Sequence, residues 1–274
     1  MLFTLSTLIA GGYGLFWLTG HNPQLKAKME ELLDYRYLHT LEVRYAAPHI
    51  IEAHQTELLK GRGARLLEPE LKFYPHLLLE VKYSQKEATK EGMALWDLTD
   101  GEMVLSTDKW EKSHGFGDCL TASAVSHEFR VINYLSGKGT SDTSTIATFL
   151  GIENGLAEVW LRGCVQKNLI IPTAEGYRLH IQNPHLPKAP ESKIHERLVT
   201  KTQKGVLKVP TRFSSAKVQR LARAAFGEAF SIRKATLIYL PVYAIPVQAS
   251  DGAVSTRHFN AFNGSEMPPA LFYP

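Results

Sequence analysis

Residues 150–170, LGIENGLAEVWLRGCVQKNLI, decide how the middle of this chain folds. Ile146, Phe149 and Leu150 place a short helix just before and into the stretch, with Ser141 or Thr143 as its cap. Gly151 breaks that helix, and Ile152 opens the turn into the next, expected over roughly 154–167. Asn168 suits a left-handed cap, after which Leu169, Ile170 and Ile171 read as a strand. Ala174-Glu175-Gly176 turns the chain back into YRLHI, 177–181. Upstream, Phe129, Ile132 and Leu135 mark one face of a helix around 123–136, ended by Gly137 and Gly139.

Short helix, L-G-I turn, third helix and β wing together resemble a winged helix-turn-helix over residues 119–183. In that family the third helix often enters the major groove of DNA. The resemblance makes Arg162, Lys167 and Arg178 the basic residues of the winged-helix surface. Glu153 and Glu158 oppose them, so the third helix is near neutral, whereas phosphate binding needs clustered cations. Winged helices also serve as protein-contact modules, and the charge favours that use.

Working outward, 274 residues leave room for one large or two small domains. Hydrophobic residues at 44% and charged residues at 21% exclude a disordered or fibrous chain. The expected fold class is α+β. It comprises an N-terminal hydrophobic helix (1–22), a small α/β unit with a β-hairpin (23–118), the winged-helix-like unit (119–183), and a basic helix with a β-hairpin (184–274). In the second unit a helix over 24–36 and another over 48–60, opened by Pro48, precede the strand HLLLEVKY (76–83). MALWDL (93–98) and EMVLST (102–107) flank the hairpin signal Thr99-Asp100-Gly101. In the last unit TLIYLPVYAIPVQ (236–248) is strand-like, and Pro241 and Pro246 demote it to an edge or a bulged strand.

Residues 1–25 contain no Asp, Glu, Lys or Arg. The segment through Thr19 would be about 28 Å long as a helix, close to a hydrocarbon core of roughly 30 Å. Ser6, Ala10 and Gly14 give it a small-residue face, and Lys26 and Lys28 follow. A cleaved leader normally has a basic start and a small-x-small cleavage site, neither of which is clear here. A buried helix fits a segment interrupted by glycines and hydroxyls. A single membrane anchor fits the length best, with the positive-inside rule keeping the C-terminal bulk in the cytoplasm.

Charge is segregated. From Lys188 to Lys234 there are seven lysines and five arginines against three glutamates, a net +9 in a chain whose total is +4. Such a patch suits an acidic partner, anionic lipid or nucleic acid. A helix over 214–226, capped by Ser214 or Ser215 and ended by Gly227, carries Val218, Leu221, Ala222, Ala225 and Phe226 on an apolar stripe. Lys217, Arg220 and Arg223 lie along another face. With Arg212, Arg233 and Lys234 they are the candidate anion-, lipid- or nucleic-acid-binding residues.

Catalytic signals are sparse. Glu80-Val81-Lys82 resembles the E-x-K element of PD-(D/E)xK nucleases, in which acidic residues hold a divalent metal and the lysine stands near the attacked phosphate. That family wants another acid on the preceding strand, and no Asp occurs between Asp34 and Asp97. Gly137-Lys138-Gly139-Thr140 lacks the spacing of a phosphate loop. His114, Asp118 and Cys119 read as local capping beside a buried thiol, and Cys164 as a small apolar core residue. Two cysteines and scattered histidines make neither a disulfide framework nor a metal set, and no cofactor motif occurs. The chain therefore reads as a non-enzymatic, membrane-anchored docking or scaffold protein. A DNA-binding regulator and a metal-dependent nuclease are the alternatives.

Overall fold

The computed structural model describes residues 37–268, apart from 62, 86–87, 195–197 and 203–204. The expected N-terminal anchor and the helix over 24–36 lie outside the described residues. Among the described residues no helix is long and apolar enough to cross a membrane.

Two long strands form the spine. β3 (Glu70–Gln85) and β11 (Phe230–Gln248) run antiparallel, in register from Tyr83 opposite Phe230 to Phe73 opposite Pro241, with one irregularity between Ile232 and Lys234. β4 (Ala88–Asp97), β5 (Met103–Ser106) and β6 (Glu111–Lys112) extend the sheet beyond β3. β12 (Val254–Asn260) and β13 (Glu266–Met267) extend it beyond β11. The short strands β1 (Tyr37–Leu41), β2 (Arg65–Leu66), β9 (Leu198–Thr202) and β10 (Leu207–Lys208) complete a mixed sheet. The fold is α+β, with seven helices among the described residues.

Alternation along β3 explains its two faces. Leu77, Leu79, Val81 and Tyr83 point into the main core; Tyr74 and Leu78 join a second cluster on the other face, where Glu80 and Lys82 emerge into solvent. The main core is continuous from this sheet into the helices α3 (Phe116–Thr121), α4 (Ser126–Lys138), α5 (Thr143–Leu150), α6 (Asn154–Gln166) and α7 (Ser215–Phe226). Trp96 of β4 lies 4.7 Å from Phe116, which lies 6.2 Å from Phe129 of α4 and 6.1 Å from Phe226 of α7. Aromatic pairs at such spacings contribute about 0.5–1.5 kcal/mol each beyond their burial.

Helix ends follow local chemistry. Asp142, rather than Ser141 or Thr143, caps α5 by accepting from the Thr145 amide at 3.0 Å; Ser141 is instead bridged to Tyr177. Gly151 and Asn168 both take the left-handed conformation expected of them. After α6, the hairpin β7 (Ile170–Thr173) and β8 (Gly176–Leu179) turns at Ala174-Glu175. Ser214 caps α7, accepting from the Lys217 amide at 3.3 Å. The helix expected over 48–60 is two short ones, α1 (Ala47–Ala53) and α2 (Gln55–Leu58), separated at His54, whose ring sits against Phe259.

The strand containing Pro241 and Pro246, expected at an edge or bulged, is central, and its register irregularity with β3 lies between Ile232 and Lys234, away from both prolines. Pro241 is the last residue paired with β3, and β12 takes over at Val242, so the first proline sits where the strand changes partner. The Pro246 carbonyl accepts from Leu67 beside two-residue β2, where little pairing is lost to its missing N–H.

Because sheet and helices share one core, Leu79→Ala in β3 and Phe129→Ala in α4 are each expected to lower stability by about 2–5 kcal/mol. Urea unfolding followed by tryptophan fluorescence and by far-UV circular dichroism should give one coincident transition. Two separated transitions would show that the helices fold independently of the sheet.

Candidate functional site

The turn between β4 and β5 holds an unusual concentration of buried charge. Asp97 and Asp100 both bind the Lys112 ammonium, at 2.5 and 2.8 Å. Asp97 also accepts from the Thr99 amide and hydroxyl, and Asp100 accepts from the Glu102 amide. Lys112 holds the Asp97 carboxyl well below the usual carboxylate range, while burial and the Asp97 charge push Asp100 up to about 6. His76, also buried, donates through Nδ1 to the Tyr74 carbonyl; burial pulls its pKa down despite Asp97 3.5 Å away.

Glu102 ties this turn to α3. Its carboxylate accepts from the Ser113 hydroxyl (2.6 Å) and from the amides of Gly115, Phe116 and Gly117 (2.9, 3.2 and 2.9 Å). The approach is close enough to require glycine: a Cβ on Gly117 would stand 2.4 Å from the Asp100 carbonyl oxygen. The same turn holds the start of α7, because the Leu98 carbonyl accepts from the amides of both Arg212 and Phe213 at 3.0 Å.

Those two tethers set α3 and α7 side by side, and a cleft of about 470 Å³ lies at their junction. One wall is the end of α3 and the turn into α4, with Ser123, Val125 and Ser126; the other is α7, with Lys217, Arg220 and Arg223. Leu120, Ala124, Leu221 and Ala224 supply apolar lining. α7 turns Val218, Leu221 and Ala222 into the core, which leaves its cations, spaced three residues apart, along the border of the cleft. Arg220 and Arg223 are exposed and Lys217 is half-buried. None of the three forms an ion pair with a described residue.

The other basic candidates have different surroundings. Arg233 is 2.8 Å from Glu91 and Lys234 is 3.8 Å from Glu80, both across the sheet. Arg212 lies over the Phe213 ring. Lys167 reaches inward to the buried Glu128 carboxylate at 2.8 Å and to the Ser123 carbonyl at 3.3 Å. Arg178 donates to the Leu179 carbonyl on the β7–β8 hairpin, and Arg162 is exposed on α6.

Glu80 and Lys82 stand on the exposed sheet face, Glu80 beside Lys234 and Lys82 in register with Glu91. No set of three potential metal ligands occurs among the described residues. Cys119 and Cys164 are buried thiols whose pKa values burial raises, Cys164 to about 12, so neither is a thiolate at neutral pH.

Sequence reasoning marked the three cleft cations but missed the Asp97–Lys112–Asp100 group and Glu102. Asp100 was legible only as a turn residue, and nothing local in the sequence signals that Lys112 folds back between two carboxylates.

Comparison with protein-family models, with curated proteins and with solved structures gave no match. Fold and cleft define the protein by class: an α+β protein with a cationic cleft between two helices, lined by no carboxylate among the described residues.

The buried charges make stability depend on pH in a site-specific way. Asp97→Asn leaves Lys112 with only Asp100 and is expected to cost about 3–5 kcal/mol at pH 7. The native state holds a proton on Asp100 that the unfolded chain releases between about pH 4 and pH 6, so its contribution to stability falls as pH rises through that window. Asp100→Asn should therefore gain about 1–3 kcal/mol relative to wild type between pH 4 and pH 7. Denaturant titrations at several pH values measure this; a constant difference would mean that Asp100 titrates normally.

Proposed function

We propose that this protein is a non-enzymatic docking component whose cleft at α7 receives an acidic group of a partner. The observation that carries the reading is the presence of three cations, Lys217, Arg220 and Arg223, around one concavity without a neutralising carboxylate. Cations in such a position are most simply neutralised by a ligand, whereas Arg233 and Lys234 have carboxylates of their own.

In the same proposal residues 119–183 form a winged-helix module used for protein contact. Three helices, α4, α5 and α6, followed by the β7–β8 hairpin support the winged-helix assignment. The outer face of α6 supports the contact role: Leu156 and Val159 are 44% and 60% exposed, and Glu153 and Glu158 accompany them. A phosphate-reading helix needs cations there instead. The leading segment 1–22 anchors the chain in a membrane, with the bulk on the cytoplasmic side. Its freedom from charge and the following Lys26 and Lys28 support this part.

Heparin chromatography of the full chain tests the cleft. The triple variant K217E/R220E/R223E should elute at clearly lower salt than wild type, with an unchanged circular dichroism spectrum. Equal retention would overturn the reading. Alkaline carbonate extraction of cell membranes tests the anchor, and release of the protein into the soluble fraction would remove it.

A further inference from the structure

We infer that the occupant of the α7 cleft is an acidic amphipathic helix of a partner protein, an assignment that rests on the docking reading above. Three features of the cleft select this chemistry.

Size is the first. About 470 Å³ is room for roughly fifteen water molecules, far more than a single phosphate or carboxylate fills, and within the range of pockets that bury whole side chains.

Lining is the second. Leu120, Ala124 and Leu221 are buried and back the cleft, while Val125, 41% exposed, and half-buried Ala224 present apolar surface to it from opposite walls. A nucleic-acid backbone makes no use of such a surface, and among the described residues no aromatic ring lines the cleft on which a base could stack. A flat bilayer surface would meet the cations and leave the concavity empty. A leucine or phenylalanine side chain inserted from a partner leaves water and packs against Val125 and Ala224.

Spacing is the third. Lys217, Arg220 and Arg223 follow one another every three residues on α7, so they rise by about 4.5 Å each along its axis. A second helix running alongside α7 presents carboxylates at i, i+3 and i+7 with nearly the same rise. It can meet all three cations while its adjacent face supplies the apolar anchor. This is helix-in-groove recognition, with the anchor giving affinity and the acids giving register and orientation.

A peptide-display selection on the full chain, with K217E/R220E/R223E as counter-selection, tests the assignment. The expected winners combine acids at helical spacing with one or two large apolar residues. A synthetic winner, followed by fluorescence anisotropy, should bind at least tenfold more weakly when its apolar residues are replaced by serine. Ala224→Gln, which fills the cleft without changing charge, and Val125→Ser, at an exposed position that does not challenge the fold, should each weaken binding of that peptide. Winners without apolar residues, no winners, equal binding of the serine peptide, or tighter binding of duplex DNA or phosphatidylserine vesicles than of the peptide would overturn the assignment. If the triple variant still retains heparin like wild type, the docking reading itself fails, and that outcome is separate from failure of the helix assignment.

Discussion

The turn from Asp97 to Glu102 is the constraint on which the rest of the structure depends. Its Glu102 carboxylate gathers the first amides of α3 and the Ser113 hydroxyl; its Leu98 carbonyl gathers the entry to α7; and its two aspartates clamp Lys112 of β6. Two separate parts of the chain, residues 112–117 and the pair Arg212-Phe213, thus converge on one six-residue segment. The packing leaves no spare space: a side chain at Gly101 would meet Leu120 of α3 at 2.6 Å and the ring of Phe213, just before α7, at 2.9 Å. Buried charge is an expensive way to join elements. Here nearly every carboxylate oxygen of the three acids has a donor, the condition under which such a network specifies one arrangement instead of weakening the fold.

The basic segment shows how tertiary structure sorts charges that look alike in sequence. On β11, Arg233 pairs with Glu91 of β4, one strand beyond β3, and Lys234 with Glu80 of β3, so both are largely balanced. Exposed pairs of this kind contribute little to stability, about 0–1 kcal/mol, but they remove two cations from the pool available to a ligand. Lys167 is drawn into the buried Glu128 site behind α4, where it joins α6 to α4. The α7 triplet has no ion-pair partner among the described residues, and its setting beside the end of α3 and the start of α4 gives the patch a shape as well as a sign.

α6 carries the opposite lesson. Its inward residues Ala157, Leu161 and Cys164 follow helical periodicity, so the helix is fixed by its core face alone. Its outer face is free to vary, and here it bears Leu156, Val159 and Glu158. A winged-helix pattern and a DNA-reading surface are therefore independent properties of a sequence: the first depends on spacing of buried residues, the second on what lies between them.

What the sequence determined was local. The helices at 126–138, 143–150, 154–166 and 215–226, the Gly151, Asn168 and Ser214 end signals, and the hairpin turn at Thr99–Gly101 all depend on neighbours within a few residues, where period and backbone preference act directly. The α7 cations were legible for the same reason, because one helix face is a property of one short stretch. Only the tertiary structure decided that Pro241 lies in a central strand, that Lys112 sits between Asp97 and Asp100, and that Ser123–Ser126 faces α7 across a cleft. Each of these joins residues from separate segments. Their pairing is selected by burying the shared core and giving the buried carboxylates their donors together, a condition that no single stretch of sequence contains.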